Sequence, residues 1–264
     1  MIRVTSWGIA GGVVDGGMPG RAWLGASRGG AVDTASLALA NRLVGNAEHA
    51  AAFESSGGLT FTVDTPAMVA LTGAVAEVVV AGGPPIGWGS PVVLPTGATL
   101  RIARLLDGAR TYLAVRGGLV GTADHWSTGE DPGTPAAEHA APRRPPATEV
   151  TVWPGPRVDW FSAEAWAQLC SATFTVTVTS RVGARLAGPR LDRVCHDELP
   201  SEGMVEGAVQ VPPDGNPIVF LADHPTTGGY PVIAVVDAAD IPHLAQAAPG
   251  TTIRFRSSSP RRET

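Results

Sequence analysis

Short runs rich in Val, Thr and Leu recur along the chain, separated by Gly and Pro, and this punctuation predicts many short strands. The expected strands are 59–63, 67–71, 76–80, 99–103, 111–115, 173–179, 217–221 and 251–255. A Thr-containing strand also opens each half, leading into Trp7-Gly8 and into Trp153-Pro154-Gly155. Three segments carry helical signals. The first, 34–44, has Asp33 placed to cap its free N–H groups and Gly45 with Asn46 to end it. The second follows Ser162, with Glu164 in its first turn, and the third covers about 240–247. Between 121 and 148 the pattern lapses. Five prolines gather there with His139, Arg143 and Arg144, which predicts a linker or long surface loop. The last residues, 257–264, have the composition of a disordered tail.

The strand pattern repeats. Ser27-Arg28-Gly29-Gly30 is matched by Ser180-Arg181-Val182-Gly183, and Gly97-Ala98-Thr99-Leu100-Arg101 by Gly250-Thr251-Thr252-Ile253-Arg254, both at an offset of 153 (180 − 27 and 250 − 97). Pro66 to Leu71 resembles Pro217 to Ala222 at 151. Matches in one order and nearly one register predict a duplicated β unit, 1–120 and 149–256. Closure removes exposed strand edges, so each copy is expected to be a small closed or nearly closed barrel, and the fold class mainly β.

Charge and composition narrow the function. A formal charge of −5 opposes a basic footprint, so neither nucleic acid nor an acidic membrane is an expected partner. No apolar run approaches the roughly 18–20 residues of a membrane span, and the N-terminus lacks a signal-peptide pattern. The expected location is therefore cytoplasmic. Two cysteines, Cys170 and Cys195, are too few for a disulfide framework and lack zinc spacing; they read as reduced core thiols, and no metal is expected. All 19 basic residues are arginine. Without lysine the chain can form no Schiff base, carry no biotinyl group and offer no P-loop lysine, so no cofactor is expected to be covalently attached.

Several segments could carry chemistry. Gly25-Ala26-Ser27-Arg28-Gly29 fits the G-x-S-x-G pattern, but the following helix begins too late for a nucleophile elbow. It reads instead as a Gly-rich loop in which Arg28 meets an anion. Arg181 and Arg185 are four apart, so an extended path would put both guanidinium groups on one face, suited to a carboxylate or phosphate. Asp223 to Pro231 presents Thr226, Thr227, Gly228, Gly229 and Tyr230 directly after an apolar strand, where glycines let backbone approach a ligand. Gln210 to Asn216 precedes that strand, with Asp214 in a strong turn signal. His196-Asp197-Glu198 reads as a solvated turn.

Together these segments resemble the family that includes the C subunit of bacterial 5-oxoprolinase, the KipA proteins and the region of urea carboxylase related to allophanate hydrolase subunit 2. The resemblance is carried by SRGGAVDTASLALANRLVGN (27–46), Phe53-Glu54, LTGA (71–74), YLAVRGGL (112–119), WPGPRVDWF (153–161), SRVGARL (180–186), SEG (201–203) and QVPPDGNPIVFLADHPTTGGYPVIA (210–234). The resemblance implies two tandem cyclophilin-like β-barrels. It also implies two partners, the KipI-like B subunit and the A subunit of 5-oxoprolinase, in a complex that uses ATP to hydrolyse 5-oxo-L-proline to L-glutamate. Carboxyl transfer from biotin to urea, and regulatory binding without turnover, are the alternative roles. For the hydrolysis of 5-oxo-L-proline, Asp33, Arg181 and Glu202 are the candidate catalytic residues. Arg28, Arg185, Gln210, Asp214, Thr226, Thr227, Gly228, Gly229 and Tyr230 are the candidate substrate-binding residues. The family's Arg and Gln in the TTGGYP segment fall on His224 and Pro225.

Overall fold

The computed structural model describes residues 1–131 and 147–258. Most of the expected linker and most of the expected tail therefore lie outside the described residues. The chain divides into two compact units.

The described part of the first unit contains residues 1–17 and 33–131. Its strands are β1 (Ile2–Ser6), β2 (Gly12–Val14), β3 (Ala52–Ser55), β4 (Thr60–Val63), β5 (Ala67–Gly73), β6 (Ala76–Ala81), β7 (Val92–Leu94), β8 (Thr99–Leu105), β9 (Thr111–Val115), β10 (Leu119–Thr122) and β11 (His125–Thr128). They form two sheets, ordered β10-β11-β1-β4-β8-β6 and β2-β3-β9-β5-β7, around one core that includes Phe53, Phe61, Leu100 and Leu113. Along β4 burial alternates, with Phe61 and Val63 inward. β9 is buried throughout because the helix α1 (Thr34–Val44) packs against it and against β5. Asp33 caps α1 by accepting from the Ser36 N–H at 2.9 Å, and left-handed Gly45 ends it.

The strands of this unit are shared between two sheets around the one core, with bulges at Val4/Ser6 and Glu77/Val78 in their registers. One expectation changes here. Residues 121–131, read as the start of a linker, instead carry much of the β10–β11 hairpin. Its Trp126 pairs with Ile2 and packs on the core, an apolar anchor that the surrounding polar residues hide in the sequence.

The described part of the second unit contains residues 18–32 and 147–258. Its strands are β12 (Glu149–Pro154), β13 (Thr173–Thr179), β14 (Gly183–Ala187), β15 (Glu202–Gly203), β16 (Ala208–Gln210), β17 (Ile218–Phe220), β18 (Thr227–Gly228), β19 (Val232–Val236) and β20 (Thr252–Ser257), with helices α2 (Ala163–Ser171) and α3 (Ile241–Ala245). Seven strands close into a barrel in the order β12-β19-β16-β17-β14-β13-β20, sealed by the parallel β12–β20 pair. Ser257, expected in the tail, is the last residue of β20. Val32 is buried in this unit's core with Phe174, Leu221, Ile233 and Phe255, so the segment 18–32 supplies part of that core.

The repeat seen in the sequence reappears as matching hydrogen bonds. Gly97 N–H donates to the Val63 carbonyl at 2.8 Å, and Gly250 N–H to the Val176 carbonyl at 2.8 Å. Val63 N–H and Val176 N–H return bonds to Ala98 and Thr251. Gly97 and Gly250 have φ of 79° and 91°, which favours glycine at the turn that opens β8 and β20.

A buried polar centre anchors the first unit. The Tyr112 hydroxyl donates to Glu54 Oε2 at 2.7 Å and accepts from Asp33 N–H at 2.9 Å. Burial, then the nearby Glu54 and Asp33 carboxylates, hold this phenol well above its ordinary value near 10. A raised folded-state value means that the neutral tyrosine favours folding, and that its contribution falls as pH climbs past the unfolded value of about 10. Tyr112→Phe should lower stability to urea by roughly 1–3 kcal/mol near neutral pH and flatten the alkaline loss of stability. Unchanged neutral and alkaline unfolding curves would refute this role.

Candidate functional site

The sequence-predicted site residues separate into distinct groups. The first surrounds the TTGGYP segment, which leaves β17 and turns into β18. β18 pairs with β15 outside the barrel, Gly228 opposite Glu202 and Thr227 opposite Gly203. Thr226 is tied to the same ladder through its carbonyl, which accepts from Met204 N–H at 2.9 Å. Gln210, buried at the end of β16, donates from Nε2 to the Tyr230 carbonyl at 3.1 Å. A Cβ on Gly228 would stand 2.8 Å from that Nε2, so a larger residue there would displace the Gln210 amide from this position. Thr227, Gly229 and the ring of Tyr230 are left facing solvent.

Arg157 holds this group from below. It makes a two-pronged ion pair with Glu202, and its guanidinium lies 5.9 Å over the Trp160 ring. The Arg157 hydrogen bond keeps the Glu202 carboxyl below its ordinary range, so Glu202 stays ionised through neutral pH. Arg193 approaches from the other side. Its Nη2 donates to the Val211 carbonyl and its guanidinium sits 6.0 Å over the Tyr230 ring.

The second group is built on the Gly-rich segments. Arg28 Nε and Nη2 donate to Glu206 at 3.1 and 2.9 Å, and Nη2 also reaches the Ala31 carbonyl at 3.1 Å. Arg181 Nε and Nη2 donate to Asp223 at 2.7 and 3.1 Å, and Nη2 reaches the Gly30 carbonyl at 2.6 Å. Arg28 was expected to receive an external anion; the structure gives it an internal carboxylate instead. Beside this pair His224 is buried, stacked on Phe220 at 6.1 Å.

The pairing of Arg181 with Arg185 also changes. Ser180 N–H donates to the Gly183 carbonyl at 3.1 Å, so residues 180–183 form a turn and the two-residue strand period does not extend across them. Arg185 lies on β14 and lines a separate cavity of about 180 Å³ with Asp214, Asn216 and Thr177. Asp214 serves its own turn there, accepting from Asn216 N–H at 3.0 Å. Asp33 belongs to the first unit, where Ser36 N–H and Oγ both donate to its carboxylate. That is a capping role rather than the proton-moving one expected.

Arg157, Arg193, Glu206 and Asp223 were not singled out by sequence reasoning. Their importance lies in partners 18 to 178 residues away, although Arg157 and Asp223 fall inside the segments that carry the family resemblance. Cys195, expected in the core, instead sits half-exposed in a loop with its Sγ 3.7 Å from Asp197, while Cys170 packs against the barrel core. Among the described residues no group of three or more His, Cys, Asp or Glu converges on a metal-sized site, and no helix is long and apolar enough to cross a membrane.

Arg28 and Glu206 are about one-fifth exposed, so losing one partner leaves a poorly solvated charge. Arg28→Ala should destabilise by about 1–2 kcal/mol and speed tryptic cleavage after Arg21, while the double variant Arg28→Met, Glu206→Met should recover much of the loss. Equal proteolysis of wild type and Arg28→Ala would show that the pair does not hold 18–32.

The family model described as "Carboxyltransferase domain, subdomain A and B" matches residues 24–128 and 120–257. The chain is 33% identical to the 5-oxoprolinase C subunit of Escherichia coli (strain K12), over 97% of this chain and 90% of that protein. It is 29% identical to the urea amidolyase of Lachancea kluyveri over 90% of this chain, which is 16% of that protein. A crystal structure of TTHA0988 superimposes with a TM-score of 0.85 at 34% identity, covering 97% of this chain; the chain spans 56% of that relative's length. The chain belongs to the carboxyltransferase domain family, subdomains A and B.

Proposed function

We propose that this chain is the C component of an ATP-dependent amidohydrolase complex that opens 5-oxo-L-proline to L-glutamate. The observation that carries this reading is the nearly end-to-end match to a 5-oxoprolinase C subunit, against a match to only 16% of a urea amidolyase. The expected partners are a KipI-like B subunit and the A subunit of 5-oxoprolinase. ATP is used by the complex, which works in the cytoplasm.

Opening the ring breaks the amide C–N bond, adds a water oxygen to the carbonyl carbon and returns a proton to the departing nitrogen. Charge builds on the carbonyl oxygen, and backbone N–H groups are suited to meet it. Glycines at 228 and 229 let a ligand come close to the backbone. Glu202 is held ionised by Arg157, and a low pKa makes it a weak general base. Its stronger role is to fix the Thr227–Gly228 strand through the β15–β18 ladder. Thr226, Thr227 and Tyr230 then present hydroxyl groups toward the substrate.

Carboxyl transfer to urea is the second reading, favoured by the family's carboxyltransferase description. Without lysine in this chain, biotin would arrive on another protein. Coexpression with homologues of the other two 5-oxoprolinase subunits should give ATP-dependent glutamate release from 5-oxoproline that disappears when this chain is omitted. Biotin-dependent consumption of urea without glutamate would replace the first reading by the second. Stable association with neither activity would point to regulatory binding.

A further inference from the structure

A cavity of about 370 Å³ lies in the second unit, walled by Arg190, Asp192, Arg193, His196, Pro212 and Pro213. Its volume is that of a small-molecule site. The half-buried arginines nearby are already neutralised: Arg28 by Glu206, Arg157 by Glu202 and Arg181 by Asp223. Arg193 is also half-buried, yet among the described residues no carboxylate pairs with it. Its Nη2 is spent on the Val211 carbonyl, while its Nε is buried without an acceptor. A cation taken out of water with one carbonyl and one aromatic face as compensation is incompletely solvated, and burial accordingly pushes its pKa down. An anion held in the cavity would add the counter-charge that no described carboxylate supplies to Arg193.

The charges around the cavity select among anions. Arg190 is shared between Asp192 at 3.1 Å and the Pro213 carbonyl at 3.0 Å. Two guanidinium groups against one carboxylate leave a net charge of about +1 on these side chains. That balance suits a monoanion, and Asp192 opposes a dianion such as phosphate. The cavity is also joined to the TTGGYP segment, because Arg193 contacts the Tyr230 ring and Gln210 holds the Tyr230 carbonyl.

We propose that Arg193 is the receptor for the carboxylate of a small organic monoanion bound in this cavity. Identifying that monoanion as 5-oxoproline rests on the function proposed above; the receptor itself rests on the geometry.

The test follows the Arg193 Nε–Hε resonance in the full chain labelled with ¹⁵N-arginine, assigned by its loss in Arg193→Lys. The probes are 5-oxo-L-proline, 2-pyrrolidinone (the same ring without the carboxylate) and sodium acetate. The expected result is a saturable shift with 5-oxoproline, at least tenfold weaker with 2-pyrrolidinone, and at least a tenfold loss of 5-oxoproline affinity in Arg193→Gln by calorimetry. A shift with acetate but none with 5-oxoproline would keep the receptor and overturn the 5-oxoproline reading. Binding of 5-oxoproline that Arg193→Gln leaves unchanged would overturn the receptor alone. No shift with any carboxylate up to tens of millimolar would also overturn it, and this arm uses wild-type protein should Arg193→Gln fail to fold.

Discussion

The second unit depends on charge pairing between arginines in Gly-rich turns and carboxylates on the loops they face. Arg28 with Glu206 and Arg181 with Asp223 are both two-pronged, a geometry that fixes orientation as well as distance. Through them the segment 18–32 is held on the barrel, Val32 enters its core, and the Gly30 carbonyl meets the Arg181 guanidinium. The two repeat-related SRGG and SRVG segments thereby touch directly. Gly29 N–H adds a backbone bond to the Ala222 carbonyl at 3.2 Å. A guanidinium used in this way has little left for a ligand, which separates the structural arginines from Arg193.

The loop from Thr226 to Tyr230 is ordered by backbone rather than by bulk. Its side is a two-stranded ladder, its base is the Arg157–Glu202 pair, and its far end hangs on a single amide from Gln210. Small residues at 228 and 229 permit this packing, and leave the hydroxyl-bearing side chains free to face outward. Rigid support beneath an exposed polar rim is the arrangement that binding sites require.

Much of this was legible in the chain's own pattern. Asp33 and Gly45 bracket α1 as capping chemistry demands, and the paired Gly97 and Gly250 turns were found through the repeat. Strand β14 was missed because Arg185 and flanking glycines obscure its alternation, and the β10–β11 hairpin because its polar residues outnumber Trp126. The site was legible as a region but not as a set of roles. A sequence shows that Arg28, Arg181 and Arg193 are arginines; which carboxylate each one meets is decided by turns such as 180–183 and by partners far along the chain. Asp33 shows the same limit, since its carboxylate is engaged by Ser36.

The excursion of residues 18–32 into the second unit sets a timetable for biosynthesis. Arg28 precedes Glu206 by 178 residues, so at about 5–20 residues per second a ribosome completes the partner roughly 10–35 s later. During that interval Val32 has no barrel to enter and the guanidinium of Arg28 has no counter-charge. The nascent first unit must therefore fold around a Gly-rich loop that waits in water together with Met18, Trp23 and Leu24, which stay exposed in the folded chain as well. The scarcity of apolar residues between Gly25 and Gly30 is consistent with that delay.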